Sequence, residues 1–212
     1  MTLEEAIAKI RPLDHNAMEI AQKRWDGIAK PLHSLGKLET LLIQIAGITG
    51  NAEVDLSRRG LIAMCADNGV VEEGVTQTGQ EVTAIVAENF LKYDTSVGVM
   101  CKQNHAEIFP VDMGMVTDTK VRTDHKIAYG TQNMTKGPAM TREQAVKGLE
   151  AGIDMVRELN DKGYRILATG EMGIGNTTTS SAVASVLLKQ PVEEMTGRGA
   201  VCVKKEVIAE WR

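Results

Sequence analysis

The sequence predicts an α/β protein built on a parallel sheet. Three observations carry that prediction. Short continuous apolar runs recur at "LIAMCA" (61–66), "AEIFPV" (106–111) and "YRILAT" (164–169). Runs of this kind suit strands buried on both faces. Between them lie longer stretches whose apolar residues repeat at helical spacing. After each run come an acid, one residue and a glycine: Asp67-Asn68-Gly69, Asp112-Met113-Gly114 and Glu171-Met172-Gly173. Helices alternating with short apolar strands indicate a parallel sheet.

The elements follow in chain order. Residues 4–27 read as one or two helices, with Asp14 as N-cap of the second. Leu38, Leu41, Leu42 and Ile45 share one helical face. Residues 1–50 are expected to form an N-terminal helical segment and 51–212 an α/β domain. The first strand, 61–66, leads to a helix over 80–92 through Val82, Ile85, Val86 and Phe90. The second, 106–111, contains Pro110, which a central strand disfavours. Thr141 and Gln144 form a capping box for a long helix closed by Gly163. The third strand, 164–169, leads into a glycine-rich turn and a helix whose Thr and Ser residues suit caps.

Composition excludes several classes. The 212 residues are 43% hydrophobic and 25% charged, the balance of a soluble globular protein. A net charge of -4 offers no electrostatic footprint for nucleic acid or an anionic membrane. Aromatics at 3% are too few for base-stacking platforms. No apolar run reaches the roughly 18 residues that span a bilayer. The start, "MTLEEAIAKIRPLDHN", is acidic and periodic, unlike a signal peptide. Cys65, Cys101 and Cys202 are odd in number and far apart, which fits a reduced, cytoplasmic protein. His15, His33, His105 and His125 show no metal spacing, so no metal site is expected.

Chemistry concentrates at "TGEMGIGNTTTSSAVASVLL" (169–188). A strand, a glycine-rich turn and a helix start form an anion site, because free backbone N–H groups and the helix dipole point outward. Read as a P-loop, Gly170 to Thr177 places Asn176 where the lysine belongs, which disfavours a nucleoside triphosphate. Read as a dinucleotide fingerprint, Gly173, Gly175 and Thr178 supply two glycines of three. The remaining reading is one phosphate, held by backbone N–H groups of Gly173, Ile174, Gly175, Asn176 and Thr177 and by the hydroxyls of Thr177 and Thr178. A capped turn without ligand is the plain alternative. The three acids are expected to line one crevice at the strand ends, although Asp and Asn before Gly are also ordinary turn chemistry. Methionines generally fill cores; Met172, inside the loop, is expected to face a flat apolar ligand. The polar stretch "YGTQNMTKGPAMT" (129–141) is long enough to be a binding loop.

Six segments together are specific. They are "RWDGIAKPLHSLGKLE" (24–39), "MCADNGVVEEGVTQTGQEVT" (64–83), "PVDMGM" (110–115), "KIAYGTQNMTKGPAMTREQA" (126–145), "TGEMGIGNTTTSSA" (169–182) and "TGRGA" (196–200). In this order the chain resembles the nicotinate-nucleotide–dimethylbenzimidazole phosphoribosyltransferases of cobalamin synthesis. The resemblance implies a cytoplasmic homodimer with a Rossmann-like, doubly wound parallel sheet, incomplete here, and a small helical part. It implies transfer of ribose 5-phosphate from nicotinate mononucleotide to 5,6-dimethylbenzimidazole, giving α-ribazole 5′-phosphate and nicotinate without metal or organic cofactor. It places Asp67, Thr76, Asp112, Thr131, Asn133 and Met172 around the acceptor and ribose. It gives Glu171 one of three tasks: taking the benzimidazole proton, stabilising the cationic ribose, or bracing the loop. The glutamate usually credited as general base lies in a continuation beyond "KKEVIAEWR" (204–212). The chain is therefore expected to be an N-terminal part of such an enzyme with little activity alone. The alternative is an inactive fragment that still binds the mononucleotide.

Overall fold

The structure, a computed structural model, describes residues 1–197 and 199. Part of "TGRGA", the closing "KKEVIAEWR" and Cys202 lie outside the described residues. The chain divides into two compact units, residues 1–58 and residues from 59 onward.

The first unit is helical: α1 (Leu3–Ala8), α2 (His15–Asp26) and α3 (Lys37–Thr49). Asp14 caps α2 as its position predicts, accepting from the Ala17 N–H at 2.9 Å. Helices α2 and α3 meet at Gly47, where an added Cβ would lie 2.7 Å from Met18 Sδ. The packed side of α3 overlaps the leucine face only through Leu42 and Ile45, which are half-buried. Leu38 and Leu41 are exposed, whereas Glu39, Ala46 and Gly47 are buried. Small residues let the helices approach closely. Glu39 is tolerated because Lys30 Nζ lies 2.9 Å from Oε1 and the Leu35 N–H donates to the same oxygen at 3.0 Å.

The second unit carries the sheet, with strands β1 (Arg59–Ala66), β2 (Ala106–Gly114) and β3 (Ile166–Met172). All pair in parallel, in the order β2-β1-β3. Helices α4 (Glu81–Lys92) and α5 (Ser96–Gln103) connect β1 to β2. Helix α6 (Arg142–Asp161) connects β2 to β3. Helix α5 is too short to show an apolar period in the sequence; Thr95 caps it by accepting from the Gly98 N–H. The two crossovers cover opposite faces, which makes the sheet doubly wound. Ala63 and Cys65 pack with Ala84, Ala87 and Phe90 of α4. Ile62 and Val111 pack with Met155 and Leu159 of α6. Alternation of side chains along each strand divides the residues between the two faces.

The strands run further than their apolar text. β2 includes Asp112 and Gly114, and β3 includes Glu171 and Met172. Pro110 is accommodated opposite Ala63. The long connection after β2 returns along that strand: the Asp112 N–H donates to Arg122 O, and the Ile127 N–H to Met113 O. β3, expected to be buried on both faces, is not. Ile166 is 43% exposed, because among the described residues β3 lies at the sheet edge and helix α7 (Asn176–Leu188) buries only Ser185. A short helix, α8 (Val192–Met195), follows.

The capping box of α6 is present in both directions. The Gln144 N–H donates to Thr141 Oγ1 at 3.2 Å, and the Thr141 N–H donates to Gln144 Oε1 at 2.8 Å. Thr141→Ala is expected to lower stability by about 1 kcal/mol, read as a shifted urea midpoint with unchanged slope.

Candidate active site

In an open sheet of this kind, ligands bind beyond the carboxyl ends of the strands, where the winding reverses. Here that place lies between β1 and β3. From β1 comes Asp67-Asn68, followed by a 3-10 turn over Gly69–Glu73. From β3 comes the glycine loop, Gly173-Ile174-Gly175, and then α7.

The loop sits tightly against the β1 side. A Cβ on Gly173 would lie 2.3 Å from the Ala66 carbonyl oxygen. Gly175 adopts φ +87°, a left-handed conformation that favours glycine, and stands as N-cap of α7. The expected Thr/Ser side-chain cap is absent, since Gly175 turns the chain by backbone conformation alone. Not every amide in the loop is available to an anion. The Ile174 N–H donates to Thr83 Oγ1 at 3.1 Å, and the Asn176 N–H to Gly173 O at 3.0 Å. The Thr178 N–H turns back to Gly175 O at 3.1 Å. The N–H groups of Gly175 and Thr177, by contrast, have no partner among the described residues. Thr177 is exposed and Thr178 half-buried. Five expected amide donors thus contract: Ile174 and Asn176 are spent on the loop's own shape.

The three acids do not converge. Asp112 is in register with Cys65 and Met172, on the α4 face. Glu171 is in register with Met64, on the α6 face. Asp67 and Asp112 are wholly buried. Asp112 Oδ1 accepts from the N–H groups of Gly114 and Met115 at 2.9 and 2.8 Å, and Lys126 Nζ lies 3.2 Å from Oδ2. Asp67 Oδ2 accepts from the Val116 N–H at 2.8 Å. Burial raises the Asp67 carboxyl above the usual carboxylate range, against the pull of the Thr83 hydroxyl and the Val116 N–H. Both aspartates hold the start of the long connection in place.

Glu171 stays at the mouth of the crevice with an exposed edge. Asn176 Nδ2 donates to Glu171 Oε2. The protein packed around its carboxyl raises the pKa, and the Asn176 donation opposes that rise. Met172 does not face the loop: it packs against the Ala63–Cys65 core, because strand alternation turns it towards α4. The Cys65 thiol in that core is pushed up to about 12 by burial and is unreactive there.

The 129–141 stretch lies across the start of the 3-10 turn. The Thr131 N–H donates to Asp67 O, and the Gly69 N–H donates to Thr131 Oγ1, both at 3.0 Å. Asn133, 6% exposed, donates to Glu73 Oε1, and Lys136 Nζ reaches Glu72 Oε2 at 2.8 Å. Thr131 and Asn133 therefore fasten this stretch to the turn. Thr76 is half-buried, and its hydroxyl donates to Thr78 O at 2.8 Å. Asn68, Gln80 and Thr83 were missed by sequence reasoning. They lie within "MCADNGVVEEGVTQTGQEVT", but nothing in their local pattern shows that Asn68 and Thr83 bond the glycine loop or that Gln80 holds the Asn68 carbonyl.

Comparison with known proteins agrees with this geometry. A family model described as "Phosphoribosyltransferase" matches residues 10–210. A nicotinate-nucleotide–dimethylbenzimidazole phosphoribosyltransferase of Ruminiclostridium cellulolyticum is 49% identical over 210 residues, covering 98% of this chain and 60% of its own. One from Clostridium acetobutylicum is 48% identical over 207 residues, covering 97% and 59%. The crystal structure of CobT from Thermus thermophilus superposes with a TM-score of 0.82 at 34% identity, covering 92% of this chain and 59% of that one. The chain thus spans about three-fifths of the length of these relatives.

Proposed function

The chain belongs to this phosphoribosyltransferase family, and from that premise we propose that its crevice binds nicotinate mononucleotide for transfer of the ribose 5-phosphate to 5,6-dimethylbenzimidazole. The observation that carries the proposal is the glycine loop at the winding reversal. Its Gly175 and Thr177 N–H groups are unpaired among the described residues, at the start of a 13-residue helix. Two unpaired amides and a helix dipole suit a single phosphate. With Asn176 in place of a lysine, the loop lacks the cation that a triphosphate requires.

In this reading the phosphate rests on Gly173, Gly175 and Thr177, with the Thr177 and Thr178 hydroxyls beside it. The acceptor lies towards Thr76 and the turn after Asn68. A benzimidazole nitrogen uses its lone pair to form a bond to the anomeric carbon. Nicotinate leaves with the electrons of the old glycosidic bond, and the anomeric configuration inverts. The proton on the other benzimidazole nitrogen passes to a carboxylate. In this reading the Glu171 carboxylate stabilises the cationic ribose by its negative charge. A cytoplasmic homodimer belongs to the same reading and rests on the family resemblance.

Calorimetry tests the phosphate assignment. Nicotinate mononucleotide is expected to bind the wild-type chain. Gly175→Asp strains the left-handed position and brings a negative charge next to the loop's amides, so affinity is expected to fall by about tenfold or more. Equal affinity in the two proteins would refute the assignment. Nicotinate release that depends on added dimethylbenzimidazole then reports transfer.

A further inference from the structure

Both backbone polar groups of Ile174 are held by side chains from the opposite wall of the crevice. Its N–H donates to Thr83 Oγ1 at 3.1 Å, and its carbonyl accepts from Asn68 Nδ2 at 3.0 Å. Thr83 is wholly buried in the first turn of α4. Asn68 is itself fastened by two further side chains. Its Oδ1 accepts from Thr179 Oγ1 at 3.2 Å, and its backbone carbonyl accepts from Gln80 Nε2 at 3.0 Å.

Peptide planarity gives these bonds a consequence. The Ile174 carbonyl and the Gly175 N–H share one trans peptide and point in opposite directions. When Asn68 draws the carbonyl towards β1, the Gly175 N–H must point away from it. The Ile174 N–H and the Gly173 carbonyl are related in the same way. Thr83 draws the first inward, so the second turns to accept the Asn176 N–H, which closes the start of α7. We propose that Asn68 and Thr83 are positioning residues that fix the loop's two successive peptides, Asn68 turning the Gly175 N–H towards the anion and Thr83 setting the Gly173 carbonyl that closes the start of α7. This rests on the phosphate reading above. Neither side chain needs to touch the ligand. The orientation exists before the ligand arrives, so no binding energy goes into turning the peptide.

The test uses nicotinate mononucleotide and the whole chain. Thr83→Val removes the hydroxyl while keeping the shape, and Asn68→Ala removes the carbonyl's donor. Each is expected to weaken binding by about tenfold. Thr83→Ser, which restores the hydroxyl, is expected to bind as wild type does. Ser185→Ala removes another hydroxyl from α7, one that donates to Gln190 O at 2.6 Å, and serves as a control for general loosening. It is expected to lower stability without changing affinity. Wild-type affinity in both Thr83→Val and Asn68→Ala would overturn the positioning role and leave the phosphate assignment standing. A loss in Ser185→Ala equal to theirs would also overturn it. No binding by the wild-type chain would sink the phosphate assignment, and this inference with it.

Discussion

Gly173→Ala is expected to destabilise the second unit by about 3 kcal/mol, the upper end of overpacking costs, and to abolish mononucleotide binding. The added methyl would lie 2.3 Å from the Ala66 carbonyl oxygen, a distance no real contact adopts. That oxygen belongs to the backbone at the end of β1, so it cannot swing aside as a side chain would. Either β1 and β3 splay at their carboxyl ends or the glycine loop lifts away. Both break the Asn68 and Thr83 bonds to Ile174. Gly170→Ala, three residues earlier in β3, is the built-in comparison. Its methyl would lie no closer than 3.4 Å to any neighbour, the nearest being Leu61 Cδ2. It should be neutral, or stabilising by up to about 1 kcal/mol, since glycine is a poor strand residue. Urea denaturation of the two variants separates the cases. Equal stability would show that the close approach at Gly173 is not rigid.

Lys126→Met should have a comparable or larger effect, about 3–5 kcal/mol, because it leaves a buried carboxylate without its counter-charge. Lys126 is 12% exposed and stands 3.2 Å from the wholly buried Asp112 and 3.1 Å from Asp118. Its ammonium also lies 3.8 Å from the centre of the Tyr129 ring. Asp112 in turn holds the N–H groups of Gly114 and Met115. Loss of the lysine is therefore felt where β2 opens into the long connection. Adding Asp112→Asn to Lys126→Met should recover part of the loss, because the amide oxygen still accepts those N–H groups and no charge is left buried. If the double variant is no more stable than Lys126→Met alone, the unpaired charge is not the cause. Burial lowers the Lys126 pKa, but Asp118 and Asp112 outweigh it, so the net shift is upward. A cation with a raised folded-state pKa contributes fully below its unfolded value, about 10.4 for lysine. The contribution is lost as the pH rises through the higher folded value. The Lys126→Met penalty should thus be constant through neutral pH and shrink only in strong alkali.

Much of this protein is legible in its sequence, because local chemistry writes it there. The Asp14 cap and the Thr141–Gln144 capping box act within three residues, so neighbours in sequence decide them. The alternation of apolar runs with helical stretches follows from backbone periodicity and specifies a parallel, helix-covered sheet. The loop "GEMGIGNT" has the glycine-rich composition of an anion-binding turn, and its missing lysine disfavours a triphosphate. Six ordered segments were enough to indicate the family, which the family model then matched over 10–210.

Tertiary structure decided the direction in which each polar group points. The three acid-x-glycine motifs look alike in text. Register alone sends Asp112 to the α4 face with Met172 and Glu171 to the other face, since one step along a strand reverses a side chain. Burial alone turns Asp67 and Asp112 from expected ligand contacts into braces. The hydrogen bonds that shape the glycine loop reach across 91 residues from Thr83 and 106 from Asn68. No local pattern records a bond over such a separation. It exists because β1 and β3 lie side by side and bring their carboxyl ends to one place.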